Sequence, residues 1–254
     1  MVEPLLRAEG ITKRFSGINA LSDIDLRVFP GELVALIGPN GAGKTTFFNC
    51  LSGLLRPDAG EVWFDGHDLD GMATHHRARL GLARTFQRIE LFGGMTVRQH
   101  LLVAERARTK RGGLWRDLLH LSAPTVDERT RCDDVLELLG LTDVAEAAAE
   151  SLSLGRGRIV ELGRALMCQP KLLFLDEPSS GLDVSETSEM GDVLLTVQRE
   201  QHVAILLVEH DVPMVERLAG RTYVLDCGVK IADGPTREVL ARADVRAAYL
   251  GQGV

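Results

Sequence analysis

Residues 32–46 read Glu32-Leu-Val-Ala-Leu-Ile-Gly38-Pro-Asn-Gly41-Ala-Gly43-Lys44-Thr45-Thr46. Leu33–Ile37 is a short unbroken apolar run, the pattern of a strand buried on both faces. It is followed by G-x-x-x-x-G-K-T, and then by Phe47, Phe48 and Leu51 on a helical pattern that closes at Gly53. Strand, glycine-rich turn and helix form the setting that a phosphate-binding loop requires. The glycines let successive backbone N–H groups curl around phosphate oxygens, and the new helix points its positive end at them. The pattern assigns Gly38, Pro39, Asn40, Gly41, Ala42, Gly43, Lys44, Thr45 and Thr46 to a nucleoside triphosphate site. Lys44 can neutralise the β- and γ-phosphates, and the Thr45 hydroxyl can ligate Mg²⁺. An accidental glycine-rich turn matches the bare pattern far more readily than the pattern with both flanks correct.

The composition of the rest of the chain reads as a packed, soluble α/β protein and nothing sharper. Its 254 residues suffice for one large α/β domain with a smaller subdomain. Hydrophobic residues make up 45% and charged residues 26%, ordinary values for a soluble protein. Apolar runs such as Leu33–Ile37 and Ala204–Val208 are strand-sized, far short of a bilayer crossing. The opening MVEPLLRAEG lacks the basic start and long apolar stretch of a signal peptide. Cys50, Cys132, Cys168 and Cys227 show no metal-ligand spacing, which fits a reducing cytosol. A formal net charge of −7 provides no electrostatic reason to expect nucleic acid as a partner.

Two further segments carry chemistry. Lys171-Leu-Leu-Phe-Leu-Asp176-Glu177 is an apolar strand ending in two carboxylates. Asp176 at the strand end can hold Mg²⁺ through water, and Glu177 just beyond can polarise an attacking water. Alone this is weak evidence, because many strands end in a solvated acid. Upstream, Ser151-Leu-Ser153-Leu-Gly155-Arg156 precedes apolar residues 159, 162 and 166 at helical spacing. Ser153 and Gly155 therefore stand at a helix N-terminus, a second anion-binding device; without the phosphate loop, an ordinary helix cap would be the better reading.

In these segments and their order the chain resembles the ABC ATPases. Ser153-Leu-Gly155 within LSLGR, followed by a helix and the Asp176-Glu177 strand, looks like the family's signature region. Gln87 in ARTFQRIELF matches its Q-loop, Ser180-Gly-Leu-Asp183 its D-loop, and His210 in LLVEHD its H-loop. Phe15 in TKRFSG lies where the family places an aromatic ring against adenine. The resemblance spans essentially the whole chain and rests on the order of the motifs. It implies ATP and Mg²⁺ as ligands, with Thr45, Gln87 and, through water, Asp176 holding the metal. It implies Glu177 as general base or water-orienting group, with His210 and Gln87 beside it. It also implies a head-to-tail pair of ATPase domains, homo- or heterodimeric, in which Ser153 and Gly155 complete the partner's site and Asp183 links the two sites. The family's usual signature is LSGGQ, whereas Leu154 and Arg156 stand here at the third and fifth positions. Arg156 is expected either to point to solvent or to add positive charge near the partner's nucleotide.

Residues from about 88 to 150 read as mainly helical. Thr125-Val-Asp-Glu128 is a capping box opening a helix that carries Val135, Leu136, Leu138 and Leu139. The basic piece Arg106–Gly113 reads as a solvated loop and Trp115 as core. In the family such a helical subdomain and the Q-loop receive a membrane permease subunit. The insertion's length, the phrase ARTFQRIELFGGMTVRQHLLVA and the run GVKIADGPTREVLARADVRAAYLG resemble the LivG type. That subfamily drives uptake of branched-chain amino acids or other small polar solutes, served indirectly by a solute-binding protein, from the cytoplasmic face of the membrane. The tail itself reads as a hairpin turning at Asp226-Cys-Gly228, a short helix, and a final aromatic anchor, Tyr249.

The competing readings are a lipid-exporting ATPase of similar length and a non-transport ABC ATPase acting on DNA or ribosomes. The last is disfavoured by a single cassette and by a gap of roughly 100 residues between phosphate loop and signature without heptads. The expected architecture is a P-loop α/β fold of ABC ATPase type: a mixed core sheet, an antiparallel β layer with a hairpin near residues 60–66, and a helical subdomain. Residues 1–87 and 166–254 form the expected nucleotide-binding core, and residues 88–165 the helical subdomain carrying the signature.

Overall fold

The computed structural model describes residues 3–85, 91–109 and 124–250, with side chains as far as residue 248. Gln87, Trp115, the basic piece beyond residue 109 and the side chain of Tyr249 lie outside the described residues.

Alternation within the short apolar strands sets the layering. Strands β3 (Leu33–Ile37), β7 (Leu172–Asp176) and β8 (Ala204–Val208) are buried along their whole length. Leu33, Ala35, Ile37, Leu173, Leu175, Ile205 and Leu207 face one apolar cluster. Their neighbours Val34, Leu36, Leu172, Phe174, Ala204, Leu206 and Val208 face the other. A sheet covered on both sides needs apolar residues at every position, which is why these runs are unbroken rather than alternating.

These strands belong to a six-stranded sheet in the order β10-β9-β3-β8-β7-β6. It is completed by β6 (Leu82–Arg84), β9 (Arg221–Asp226) and β10 (Val229–Pro235), and all pairings are parallel except β9 with β10. A second, antiparallel sheet has the order β2-β1-β4-β5, from β1 (Leu6–Phe15), β2 (Ile18–Val28), β4 (Ala59–Phe64) and β5 (His67–Asp68). Between the sheets runs α1 (Lys44–Ser52), whose Phe48 meets Phe174 with ring centroids 4.9 Å apart. The mixed sheet and the antiparallel layer are the expected fold.

The remaining helices largely cover the other face: α3 (Val97–Thr109), α4 (Val126–Leu138), α5 (Leu154–Met167), α6 (Val184–Gln201) and α7 (Val212–Leu218). A short α2 (Thr74–Leu80) precedes β6. The Thr125 capping box forms as expected, with Glu128 N donating to Thr125 Oγ1 at 3.2 Å and Thr125 N donating to Glu128 Oε2 at 2.8 Å. Helix α5 buries Ile159, Leu162 and Leu166 and continues unbroken to Met167, so residue 165 falls inside a helix. After the β9–β10 hairpin the tail holds two helices, α8 (Thr236–Ala241) and α9 (Ala243–Leu250). Among the described residues no helix is long and apolar enough to cross a membrane.

Register places the chemistry. Leu36 pairs with Val208, Val208 with Asp176, and Ile37 with Val224. The phosphate loop, the Glu177 turn and the His210 turn therefore all leave the sheet at one carboxyl edge, where open α/β sheets bind their ligands.

Candidate active site

Helix α1 opens on Gly43, which has no side chain to accept from the first turn, and that turn holds no acidic residue. Its positive end is thus directed at the loop before it. Lys44 is buried, and its Nζ donates to Gly38 O at 2.6 Å and Pro39 O at 3.0 Å. Burial depresses the Lys44 pKa, opposed by the charges of Glu177 and Asp176. The loop leaves β3 through Gly38 at φ +152°, where an added Cβ would lie 2.1 Å from Leu225 O, so only bare backbone passes there. A cleft of ≈ 480 Å³ follows, walled by residues 40–46, Glu177, residues 18–20 and the Cys227–Gly228 turn. A buried ammonium, a helix N-terminus, the exposed Thr45 and a carboxylate thus share one cleft. This donor set fits a polyphosphate with a divalent cation.

The two carboxylates differ in setting. Asp176, the last residue of β7, is buried, and its Oδ2 accepts from Arg84 Nη2 at 3.0 Å. Arg84 also donates through Nη1 to Asn49 Oδ1 at 2.6 Å and Ser52 Oγ at 3.0 Å, and lies 4.8 Å from the Phe48 ring centroid. Burial pushes the Asp176 carboxyl up from its ordinary value and Arg84 pulls it back. Glu177 takes a left-handed backbone at φ 49°, with its N–H donating to Val208 O at 2.8 Å and its carbonyl accepting from Ser180 N at 3.1 Å. That conformation costs a non-glycine residue about 1–2 kcal/mol, and such strain gathers at functional sites. Here it turns the side chain away from the strand direction and into the cleft wall.

The other sequence-predicted residues lie elsewhere in the single chain. His210 follows β8 with its side chain 56% exposed and is outside the cleft wall. Phe15 ends β1, 43% exposed, with Lys13 Nζ 5.6 Å from its ring centroid, while residues 18–20 line the cleft. Ser153 caps α5 by accepting from Arg156 N at 3.4 Å. Gly155 N donates to Glu186 Oε1 at 3.2 Å, and Glu186 N donates to Asp183 Oδ1 at 2.8 Å. Glu186 thereby joins the signature turn to the D-loop through contacts 31 residues apart, which no local pattern announces. Arg156, left between two readings, pairs with Asp143 Oδ2 of its own chain at 2.7 Å.

Residues 21–180, which hold the phosphate loop and the two carboxylates, match the sequence profile of the family described as ABC transporter. The chain belongs to the ABC transporter ATP-binding family. It is 38% identical to the high-affinity branched-chain amino acid transport ATP-binding protein LivG of Escherichia coli strain K12, over 99% of this chain and 100% of LivG. It is 37% identical, with the same coverage, to the corresponding protein BraF of Pseudomonas aeruginosa. An ATP-binding cassette of an ABC transporter solved in its ADP conformation superposes with a TM-score of 0.87 at 29% identity, over 99% of this chain and 100% of that one. This ABC ATPase is accordingly an ATP-binding and ATP-hydrolysing subunit of a transporter.

One wall of the ABC ATPase cleft is set by backbone packing. Gly228 N donates to Ala42 O at 3.0 Å, and Ser22 N donates to Gly228 O at 2.8 Å. Gly228 has φ +76°, and a Cβ there would stand 2.5 Å from Ala20 O. Gly228→Ala is expected to destabilise the fold by about 2–4 kcal/mol and to weaken ATP binding. Urea unfolding and titration with a fluorescent ATP analogue check both effects.

Proposed function

We propose that this subunit energises uptake of branched-chain amino acids or similar small polar solutes through separate membrane permease subunits. The observation that carries the reading is the full-length identity to LivG and BraF, whose names state that transport. In this reading it sits at the cytoplasmic face of the membrane, paired with a second ABC ATPase subunit, and is served only indirectly by a solute-binding protein that delivers solute to the permeases. Support for docking comes from a ≈ 450 Å³ groove between β6, α3 and α5, lined by Ala83, Thr85, Ala104, Ala107, Arg164 and Ala165. Its lining of small side chains with Arg164 and Glu161 among them suits an inserted helix of a permease.

The residues divide the work as follows. Lys44 and the α1 N-terminus hold the β- and γ-phosphates of ATP, and Phe15 contributes its exposed ring to adenine. Thr45, Gln87 and, through water, Asp176 would hold Mg²⁺, which when bound offsets phosphate charge. Glu177 orients the attacking water and takes its proton. His210 steadies the γ-phosphate. Ser153 and Gly155 close the partner's site, and Asp183 connects the two. Because the phosphate binder and the signature turn lie apart in one chain, pairing makes hydrolysis depend on both subunits.

The reading is tested by labelled leucine uptake in source cells lacking this chain, complemented with the intact protein or with Lys44→Ala. Uptake is expected to return with the intact chain alone. Normal leucine uptake without the chain, while the purified protein still hydrolyses ATP, would overturn the branched-chain assignment and leave the ATPase standing.

A further inference from the structure

A buried carboxylate to which the motif reading gives no role lies between the two turns carrying the proposed catalytic groups. Glu209 directly follows β8 and is 0% exposed. Its Oε1 accepts from Ser179 N at 2.9 Å; its Oε2 accepts from His210 N at 3.0 Å and from Asp211 N at 3.3 Å. Ser179 stands two residues after Glu177, in a turn closed by Ser180 N on Glu177 O and Leu182 N on Ser179 O, at 3.1 and 3.0 Å. Asp211 in turn caps α7, its Oδ1 accepting from Met214 N at 2.9 Å. One side chain thus spans from the Glu177 turn to the His210 turn.

Such a placement is costly unless geometry requires it. A carboxylate taken out of water is stabilised only when its oxygens are fully hydrogen-bonded, and an apolar residue of similar volume would often serve the fold as well. What the apolar residue would lose is the fixed spacing between two turns that are otherwise joined here through the strands behind them. All three hydrogen bonds come from main-chain N–H groups and so hold the path of the backbone, while the His210 imidazole Nδ1 stands 3.8 Å from Oε2. Glu177, in its left-handed conformation, is sensitive to that path, because a small change in φ re-aims the whole side chain.

We infer that Glu209 is a positioning residue for hydrolysis: its carboxylate clamps the Glu177 turn to the His210 turn and sets the distance between the water-orienting group and the phosphate-steadying group. The inference rests on the roles proposed above for Glu177 and His210. Glu209 is assigned no contact with nucleotide or attacking water and acts through those two turns and the His210 ring beside it.

The test compares Glu209→Gln with the intact full-length chain in steady-state MgATP hydrolysis, with Glu177→Gln and His210→Ala measured beside it. A carboxamide has the same shape but only one accepting atom, so it releases one of the two turns. The expected result is a kcat lower by about 10- to 100-fold, the loss typical of misplaced catalytic groups, with ATP KM unchanged within about twofold. In the His210→Ala background the same change should cost less than about threefold, because the clamp's effect runs through that turn. Unchanged kcat, a matching rise in KM, or full additivity with His210→Ala would overturn the proposal. Should Glu209→Gln fail to fold, Glu209→Asp keeps the charge, reaches the adjacent His210 and Asp211 amides, and loses Ser179; the same kcat loss is expected. If Glu177→Gln and His210→Ala themselves retain full turnover, the reading of the site has failed. The clamp is then decided by amide hydrogen exchange: faster exchange at both Ser179 and His210 in the Glu209 variant supports it, and unchanged protection overturns it.

Discussion

Glu177→Gln is expected to retain ATP binding and to lose about 10²–10⁴-fold in steady-state hydrolysis, the usual contribution of a positioned general base. The substitution keeps the side chain's length and its left-handed backbone, which is held by Glu177 N on Val208 O at 2.8 Å. The phosphate-facing residues, Lys44 and the start of α1, are untouched, so affinity for nucleotide should persist. Removing one of the negative charges facing Lys44 should, if anything, favour a polyanion. Binding is read by fluorescent-analogue titration and turnover by phosphate release. Full turnover by the variant would refute the assignment of Glu177.

Arg84→Met is expected to cost about 3–5 kcal/mol of stability, the range seen when one partner of a buried ion pair is removed. The pair is well shielded, with Arg84 and Asp176 side chains 12% and 5% exposed. Loss of the guanidinium also strips Asn49 Oδ1 and Ser52 Oγ of their 2.6 Å and 3.0 Å bonds. For a chain of this length that predicts a Tm lower by about 6–20 °C. The pH dependence follows from Asp176. Burial already raises its folded pKa above the unfolded value, and removing Arg84 raises it further. A carboxyl with a raised folded pKa favours the fold while protonated, and that contribution is lost as pH rises through the folded value. The Arg84→Met penalty should therefore be full above the raised Asp176 pKa and shrink as pH falls through it. Calorimetry across that range checks the sign. A second substitution, Asp176→Asn, should restore part of the lost stability at high pH, because no buried charge then stands alone.

Taken together these effects describe one carboxyl edge assembled from distant pieces. Arg84 and Asp176 are 92 residues apart in sequence, and Ser179 and Glu209 are 30 apart. The Gly228 turn comes to the phosphate loop from the far end of the chain, with Gly228 N on Ala42 O. Each contact ties a motif turn to a residue for which the motifs themselves assign no role.

The parts legible from sequence are those whose physics is local. Residues 33–53 write a buried strand, a glycine turn and a helix N-terminus in consecutive positions, so their pattern announces a phosphate site before any packing is known. The Thr125 capping box and the Ser153 cap are legible for the same reason, since donor and acceptor stand three residues apart. Asp176-Glu177 is legible as the end of a short apolar run, while His210 is singled out only by the order of the motifs that supplies the family resemblance. Tertiary structure decided the rest. It set residues 18–20 in the cleft wall with Phe15 paired to Ile18 beside them, turned Arg156 toward Asp143, and joined Gly155 to Glu186. It also buried Glu209 between two turns and shielded Arg84 against α1 and Asp176, at places that only sheet register brings together. A lone Arg or Glu in a chain with 26% charged residues carries no local signal; its role appears only when the fold removes water from around it and leaves it a single set of partners.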